Sequence, residues 1–286
     1  MSCKAKILVT GAKGQLGREL QNIVGSGWYF TDVDELDICS KEAVEAYVTS
    51  NHIDTIVNCA AYTNVDRAED EPQDAERINS DAVALLAEVA RRHNIRLVHI
   101  STDYVFGGTH YNTPISEDAE PQPLGVYGTT KLMGERAVVG SGCRHVIIRT
   151  AWLYSPYGKN FVTTILRLAT ERDTIRVVSD QIGSPTYAHD LALVIRDISE
   201  GRIAAEGLYH YTNEGVVSWY EFARAIVNIA GLECKVEACT TAEYGAKAPR
   251  PAYSVLSKAK ISSVLEDEIP QWRVSLERCI KRITEL

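Results

Sequence analysis

The chain has no long hydrophobic run, no C-x-x-C cysteine pair, no surplus of positive charge, and neither an internal repeat nor a low-complexity tract. The apolar segment nearest the N-terminus, within Lys6–Thr10, is far too short for a signal-sequence core or a membrane span. The chain is therefore expected in the cytoplasm, with no membrane partner. Its seven cysteines (Cys3, Cys39, Cys59, Cys143, Cys234, Cys239 and Cys279) are odd in number, scattered and without a C-x-x-C pair. That pattern argues against a disulfide framework and a zinc site, so they read as buried or incidental thiols, and no metal site is expected. Acidic side chains outnumber basic ones by 38 to 30, and the net charge of -8 would repel a phosphate backbone, so nucleic acid is not an expected partner. A small anion is still compatible, because backbone N–H groups and one or two arginines can hold it locally.

What is present is an ordinary globular composition, 45% hydrophobic and 24% charged over 286 residues, enough to bury a sizeable core. Lys6–Thr10 reads as a strand, and the spacing of Leu16, Leu20, Ile23 and Val24 as one face of a helix. A second strand fits Trp28–Thr31, and Ser40 can cap a helix bearing Val44 and Val48. Asp54–Asn58 reads as a third strand, and Ile78, Ala82, Leu85, Leu86, Val89 and Ala90 as one face of a long helix. Arg96–Ile100 reads as a fourth strand, Tyr127 to Val138 as a helix and His145–Arg149 as a fifth strand. Such alternation predicts an α/β fold with a doubly wound, Rossmann-like parallel sheet over residues 1–150. Beyond Thr150 the regularity drops, and residues 151–286 are expected to form mainly a smaller substrate lobe. Its helix is expected at Phe161–Thr170, a strand at Ile175–Val178, and a further helix opened by Ser218. Segments near 187–215 could return to the main sheet.

Between the first strand and helix lies Thr10-Gly11-Ala-Lys13-Gly14-Gln15-Leu16-Gly17, where a phosphate-binding turn belongs. Its glycines permit a tight turn and close backbone approach to a pyrophosphate, while the helix N-terminus favours negative charge. The spacing is G-x-x-G-x-x-G, which alone also suits a turn without ligand. Asp32, at the end of the second strand about twenty residues on, can accept hydrogen bonds from the adenosine ribose of a dinucleotide and disfavours a 2′-phosphate. Asp37 and Ile38, and the small Ala60 and Ala61 with Thr63 after them, follow the second and third strands at the same edge.

Tyr127-Gly-Thr-Thr-Lys131 sets a phenol and an ammonium one helical turn apart. A nearby ammonium stabilises a tyrosinate and is expected to lower the phenol pKa, making the pair a usable general acid. Taken alone the pair reads first as a solvated helix face. Its position after the fourth strand, which ends Ser101-Thr102-Asp103-Tyr104, lets Thr102 hold a carbonyl oxygen beside the tyrosine.

These residues resemble the extended short-chain dehydrogenase/reductases. Gly14-Gln-Leu-Gly17, Asn58 to Glu69, Ser101 to Phe106, Val126 to Lys131, Arg149 to Tyr154, Asp180 to Thr186, Ser218-Trp-Tyr220 and Arg250-Pro251 are similar to the dTDP-4-dehydrorhamnose reductase family along essentially the whole chain. The resemblance implies an NADPH- or NADH-dependent reduction of the 4-keto group of dTDP-4-dehydro-β-L-rhamnose to dTDP-β-L-rhamnose, the last step in making this activated sugar. It implies that Tyr127 donates a proton to the C4 oxygen, that Lys131 lowers its pKa and holds the nicotinamide ribose, and that Thr102 orients the carbonyl. Asp103, Tyr104 and Trp152 would line the sugar pocket, and Asn160, Phe161 and Arg250 would help hold the nucleotide diphosphate. Dinucleotide contacts would come from Gly11, Lys13, Gly14, Gln15, Leu16, Gly17, Asp32, Asp37, Ile38, Ala60, Ala61, Thr63, Tyr127 and Lys131.

Some members of that family bind magnesium through glutamates at a dimer interface. Glu19 matches one such position, whereas His189 stands at the other, so magnesium and a homodimer are both left open. Glu19 itself is expected to be exposed. Another nucleotide-sugar epimerase or reductase on the same scaffold is the alternative enzyme. A dehydratase would carry an acidic pair after the fourth-strand threonine, where this chain has Asp103-Tyr104. A non-catalytic dinucleotide-binding regulatory subunit is the alternative of another class, against which stand the intact Thr102, Tyr127 and Lys131.

Overall fold

The computed structural model describes residues 5–108 and 112–285; of the seven cysteines, Cys3 lies outside the described residues. β1 (Ile7–Thr10) is buried at every position, the pattern of a parallel strand covered on both faces. It turns through the glycines into α1 (Gln15–Ile23), followed by β2 (Trp28–Thr31) and α2 (Lys41–Asn51). The Ser40 hydroxyl caps α2 by accepting from the Ala43 amide at 3.3 Å. After β3 (Thr55–Asn58) come the short α3 (Val65–Ala68) and α4 (Pro72–Glu76), then α5 (Ala82–Arg92), β4 (Arg96–Thr102), α6 (Val126–Ser141) and β5 (Arg144–Thr150).

One element departs from the sequence expectation. The helix expected to present Ile78 and Leu85 with Leu86 and Val89 is interrupted by a π-helical turn at Arg77–Asp81. The extra residue in that turn rotates the face, so Ile78 points at the cleft while Asn79 and Ser80 are buried. Buried Asn79 explains the interruption: its amide bonds the backbone of Tyr62 in both directions, at 2.9 and 3.1 Å, and donates to Thr130 Oγ1 at 3.3 Å.

β6 (Leu153–Tyr154), α7 (Phe161–Glu171), β7 (Thr174–Val178), β8 (Ile182–Gly183), β9 (Thr186–Tyr187) and α8 (Ala188–Ser199) follow. The chain ends with β10 (Gly207–His210), β11 (Val217–Ser218), α9 (Trp219–Ile229), β12 (Lys235–Cys239), α10 (Thr241–Tyr244), α11 (Ala259–Ser262) and α12 (Trp272–Glu285). Six strands form the main sheet in the order β10-β5-β4-β3-β1-β2, every neighbouring pair parallel. The edge strand β10 comes from beyond residue 150, and so does α8, whose Leu191, Ile195 and Ile198 pack with Leu16 and Leu20 of α1 on the Ile7, Val9 and Val57 face. Leu8, Ile56 and Leu97 face the other way, onto α2 and α5. A separate core of Tyr154, Val162, Ile165, Phe222, Ile226 and Leu276 joins α7, α9 and α12.

The chain leaves β1 toward β2 and returns on the far side as β3. That reversal opens a crevice at the carboxyl ends of β1 and β3, where sheets of this kind bind their ligands. No helix among the described residues is long and apolar enough to cross a membrane.

Candidate active site

A cleft of about 790 Å³ runs along those strand ends. Its floor begins at Gly11, where φ is +70° and a Cβ would lie 2.7 Å from the Ala60 amide nitrogen, so the turn needs glycine twice over. The turn is pinned to β2: Ala12 N–H donates to the Thr31 carbonyl at 3.0 Å, and Lys13 N–H to Asp32 Oδ2 at 2.8 Å. α1 then starts at Gly14 without a side-chain cap, which leaves its first amides as donors for an anion. The exposed Lys13 ammonium pairs with Asp34.

Every dinucleotide-contact candidate read from the sequence borders this cleft, from Gly11 to Gly17 through Asp32, Asp37, Ile38, Ala60, Ala61 and Thr63 to Tyr127 and Lys131. So do Thr102, Asp103, Tyr104, Trp152 and Asn160. Phe161 and Arg250 stand outside its walls. Phe161 packs on Trp219 with ring centroids 4.4 Å apart, while Arg250 donates to Asp66 Oδ2 at 2.8 Å and to the Ala248 carbonyl at 2.9 Å. Asn160 caps α7, accepting from Thr163 N at 3.1 Å and donating to the Ser155 carbonyl at 2.8 Å. Trp152 borders the cleft in a left-handed conformation, φ +50°, its ring stacked on Trp219 at 3.5 Å between centroids. Such backbone strain concentrates where a side chain must be aimed. Lys159, Arg77, Val33 and Leu36 also line the cleft and were not singled out from the sequence, since nothing local marks them.

Tyr127 and Lys131 ride on α6, which is clamped from three sides. Glu69 Oε1 accepts from the Val126 amide at 2.8 Å, standing in for the cap that Gly125 lacks. Asn79 holds Thr130, and Gly128 lies so close to the Tyr104 carbonyl that a Cβ would collide with it. One turn beyond Lys131, buried Glu135 accepts from the Arg149 guanidinium at 2.9 and 2.6 Å and from the Ser101 hydroxyl. None of these clamps was visible in the sequence, because each joins residues far apart in the chain.

Lys131 is buried and Tyr127 half-buried, and the loss of water acts on the two groups with opposite consequences. Desolvation pushes the Tyr127 phenol up to about 12, and the hydrogen bond with the Thr102 hydroxyl lowers it only in part. This corrects the expectation of a net more acidic phenol: burial outweighs any help from Lys131, whose Nζ donates to the Ile100 carbonyl at 2.7 Å. Burial brings Lys131 down to about 8, the Glu135 charge acting against that fall. Asp103 is raised to about 6, again by burial, with Ser254 and Thr102 hydroxyls opposing. The Thr102 hydroxyl donates to Asp103 Oδ1 at 3.1 Å, so a carbonyl oxygen entering here competes with Asp103 for that proton.

Glu19 is not exposed: its side chain has no solvent access. α12 returns across α1, and Arg282 Nη1 donates to both Glu19 oxygens, at 3.0 and 2.9 Å, while His189 Nδ1 lies 3.2 Å from Oε2. Magnesium requires free oxygen ligands, and a carboxylate saturated by a guanidinium beside an imidazole does not fit it. No group of three or more ligating side chains suited to a metal occurs among the described residues.

A parallel sheet of this order, an uncapped helix behind a glycine turn, and a threonine, tyrosine and lysine on one cleft define an extended short-chain dehydrogenase/reductase. The chain belongs to the RmlD substrate binding domain family, which matches residues 5–285. It is 43% identical to the dTDP-4-dehydrorhamnose reductase of Aggregatibacter actinomycetemcomitans, over 96% of this chain and 97% of that protein. It is 44% identical to the spore coat polysaccharide biosynthesis protein SpsK of Bacillus subtilis (strain 168), over 90% of each. The dTDP-4-dehydrorhamnose reductase of Bacillus anthracis str. Ames, solved in complex with NADP, superposes with a TM-score of 0.93 at 38% identity, covering 98% of this chain and 100% of that one.

Proposed function

We propose that this protein reduces the 4-keto group of dTDP-4-dehydro-β-L-rhamnose to give dTDP-β-L-rhamnose with NADPH or NADH, the last step of dTDP-rhamnose biosynthesis. The observation that carries the reading is one cleft in which an uncapped helix N-terminus and the Thr102, Tyr127 and Lys131 side chains face the same space. Membership of the family over residues 5–285 supports the enzyme class.

When bound, the reduced nicotinamide supplies the hydride. The α1 amides and Lys13 receive the pyrophosphate, and Asp32 offers its remaining lone pairs to the adenosine ribose. Tyr127 gives its proton to the C4 oxygen, the Lys131 ammonium stabilises the phenolate and holds the nicotinamide ribose, and the Thr102 hydroxyl turns from Asp103 to the carbonyl oxygen. Asp103, Tyr104 and Trp152 form the sugar wall. Asn160 holds the loop at the diphosphate end, where Lys159 is the cation at hand; Arg250 joins it by exchanging Asp66 for phosphate oxygens, and Phe161 fixes Trp219 behind Trp152. In this reading residues 1–150 with α8 and β10 hold the dinucleotide, and the rest of 151–286 holds the sugar nucleotide. The unpaired thiols among the described residues support a reducing, cytoplasmic compartment, and the net charge of -8 speaks against nucleic acid as a partner.

The test supplies the keto sugar with each dinucleotide and identifies the product by NMR. Formation of dTDP-β-L-rhamnose with stoichiometric dinucleotide oxidation is the expected result. An intact protein that turns over neither dinucleotide, or that returns an epimerised keto sugar, contradicts the substrate assignment.

A further inference from the structure

Behind the cleft, three adjacent parallel strands carry polar side chains in one cross-strand row. Thr10 of β1 pairs with Asn58 of β3, and Asn58 with His99 of β4. All three are essentially without solvent access. The Thr10 hydroxyl lies 2.7 Å from Asn58 Oδ1, Asn58 Nδ2 lies 3.1 Å from His99 Nδ1, and His99 Nε2 lies 3.5 Å from Lys131 Nζ. The row thus runs from the residue that opens the glycine turn to the lysine of the Tyr127 helix. A buried polar row of this kind lowers stability unless every member is satisfied.

We propose that His99 is a positioning residue for Lys131, accepting a hydrogen bond from its ammonium through Nε2 while Asn58 and Thr10 hold the ring. The proposal rests on the role given to Lys131 above. An ammonium has donors only, and a neutral imidazole has one donor and one acceptor nitrogen. Contact with charged Lys131 therefore requires the His99 proton on Nδ1. Asn58 accommodates this by a half-turn of its terminal amide, which presents Oδ1 to the ring and Nδ2 to Thr10, two orientations of nearly identical shape. The opposite orientation puts the ring proton on Nε2 and suits only a neutral lysine amine. The row so reads the charge of Lys131 and seats its Nζ between the Ile100 carbonyl and the imidazole. Burial and Lys131 keep His99 from charging, which leaves the acceptor available. The other groups acting on Lys131 are Glu135, one turn along α6, and Cys59, after β3, with Tyr127 one turn before it.

Two measurements test this. In the full-length protein with 15N-labelled histidine, the His99 resonances, assigned by their loss in His99→Gln, are expected at neutral pH to report a neutral ring protonated on Nδ1. An imidazolium, or a ring protonated on Nε2, overturns the proposal, and this readout needs no turnover, so it stands apart from the substrate assignment. In the second, the Lys131 side chain is titrated by NMR in wild type, His99→Leu and His99→Gln. His99→Leu, which removes the acceptor, is expected to move the Lys131 titration to lower pH and to lower kcat about tenfold with KM for the dinucleotide little changed, whereas the Gln oxygen restores most of both. A Leu variant that titrates as wild type overturns the proposal; should that variant not fold, the ring-proton measurement on wild type decides alone.

Discussion

At Tyr127 and Lys131 a single cause, removal from water, acts with opposite sign: it holds the phenol protonated, up to about 12, and brings the ammonium down to about 8. In the proposed mechanism the proton donor is thus always loaded over the accessible pH range, and what varies is the cation that would stabilise the phenolate once the proton has left. Lys131 is charged below its pKa and neutral above it. The expected consequence is a kcat/KM for keto-sugar reduction that falls as pH rises through about 8, with no loss assignable to the tyrosine. A steady-state profile with a limb only near the usual tyrosine range would contradict this assignment. The sequence revealed the pair but not the sign of its tuning, because burial depends on Ile100, Cys59 and His99, which arrive from other strands.

The glycine turn with α1, and α6 with its tyrosine and lysine, were legible because their spacing is local: Gly11 must adopt positive φ, and one helical turn separates Tyr127 from Lys131. What fixes α6 in place was not legible. Glu69 looks like any loop carboxylate until it meets the Val126 amide, and Asn79 like a surface asparagine until a π-turn buries it. Gly128 is the sharpest case. A methyl group there collides with the Tyr104 carbonyl, so Gly128→Ala is expected to cost about 1–3 kcal/mol of stability and, by displacing Tyr127, to lower kcat by about tenfold or more. Thermal melts and steady-state kinetics check both; an unaltered kcat would show that α6 does not need this close approach.

Across the whole molecule, the last helix returns to the first. Arg282 joins Glu19 of α1 to Tyr187 and Tyr157, at 2.6 and 3.2 Å from their hydroxyls, and so ties the helix behind the glycine turn to segments beyond residue 150. The expectation of an exposed Glu19 failed because its partner lies 263 residues away. Arg282→Met leaves a buried carboxylate with only the His189 imidazole beside it and is expected to cost about 2–4 kcal/mol, the arginine being only partly buried, while adding Glu19→Leu recovers most of it. Neither magnesium nor EDTA is expected to move the wild-type melting temperature; a rise with magnesium would show that Arg282 does not saturate Glu19. The fold class and much of the cleft wall were readable in advance, whereas the origin of β10 and α8 beyond residue 150 was only foreshadowed, since strand pairing across such distances leaves no local pattern. The central claim is that Tyr127 on this cleft delivers the proton to a dTDP-linked 4-keto sugar. Its most direct test is dinucleotide oxidation with dTDP-4-dehydro-β-L-rhamnose by wild type and Tyr127→Phe side by side: the account predicts turnover by wild type and a loss of about 100- to 10,000-fold in the variant, and a phenylalanine variant that keeps the wild-type rate would contradict it.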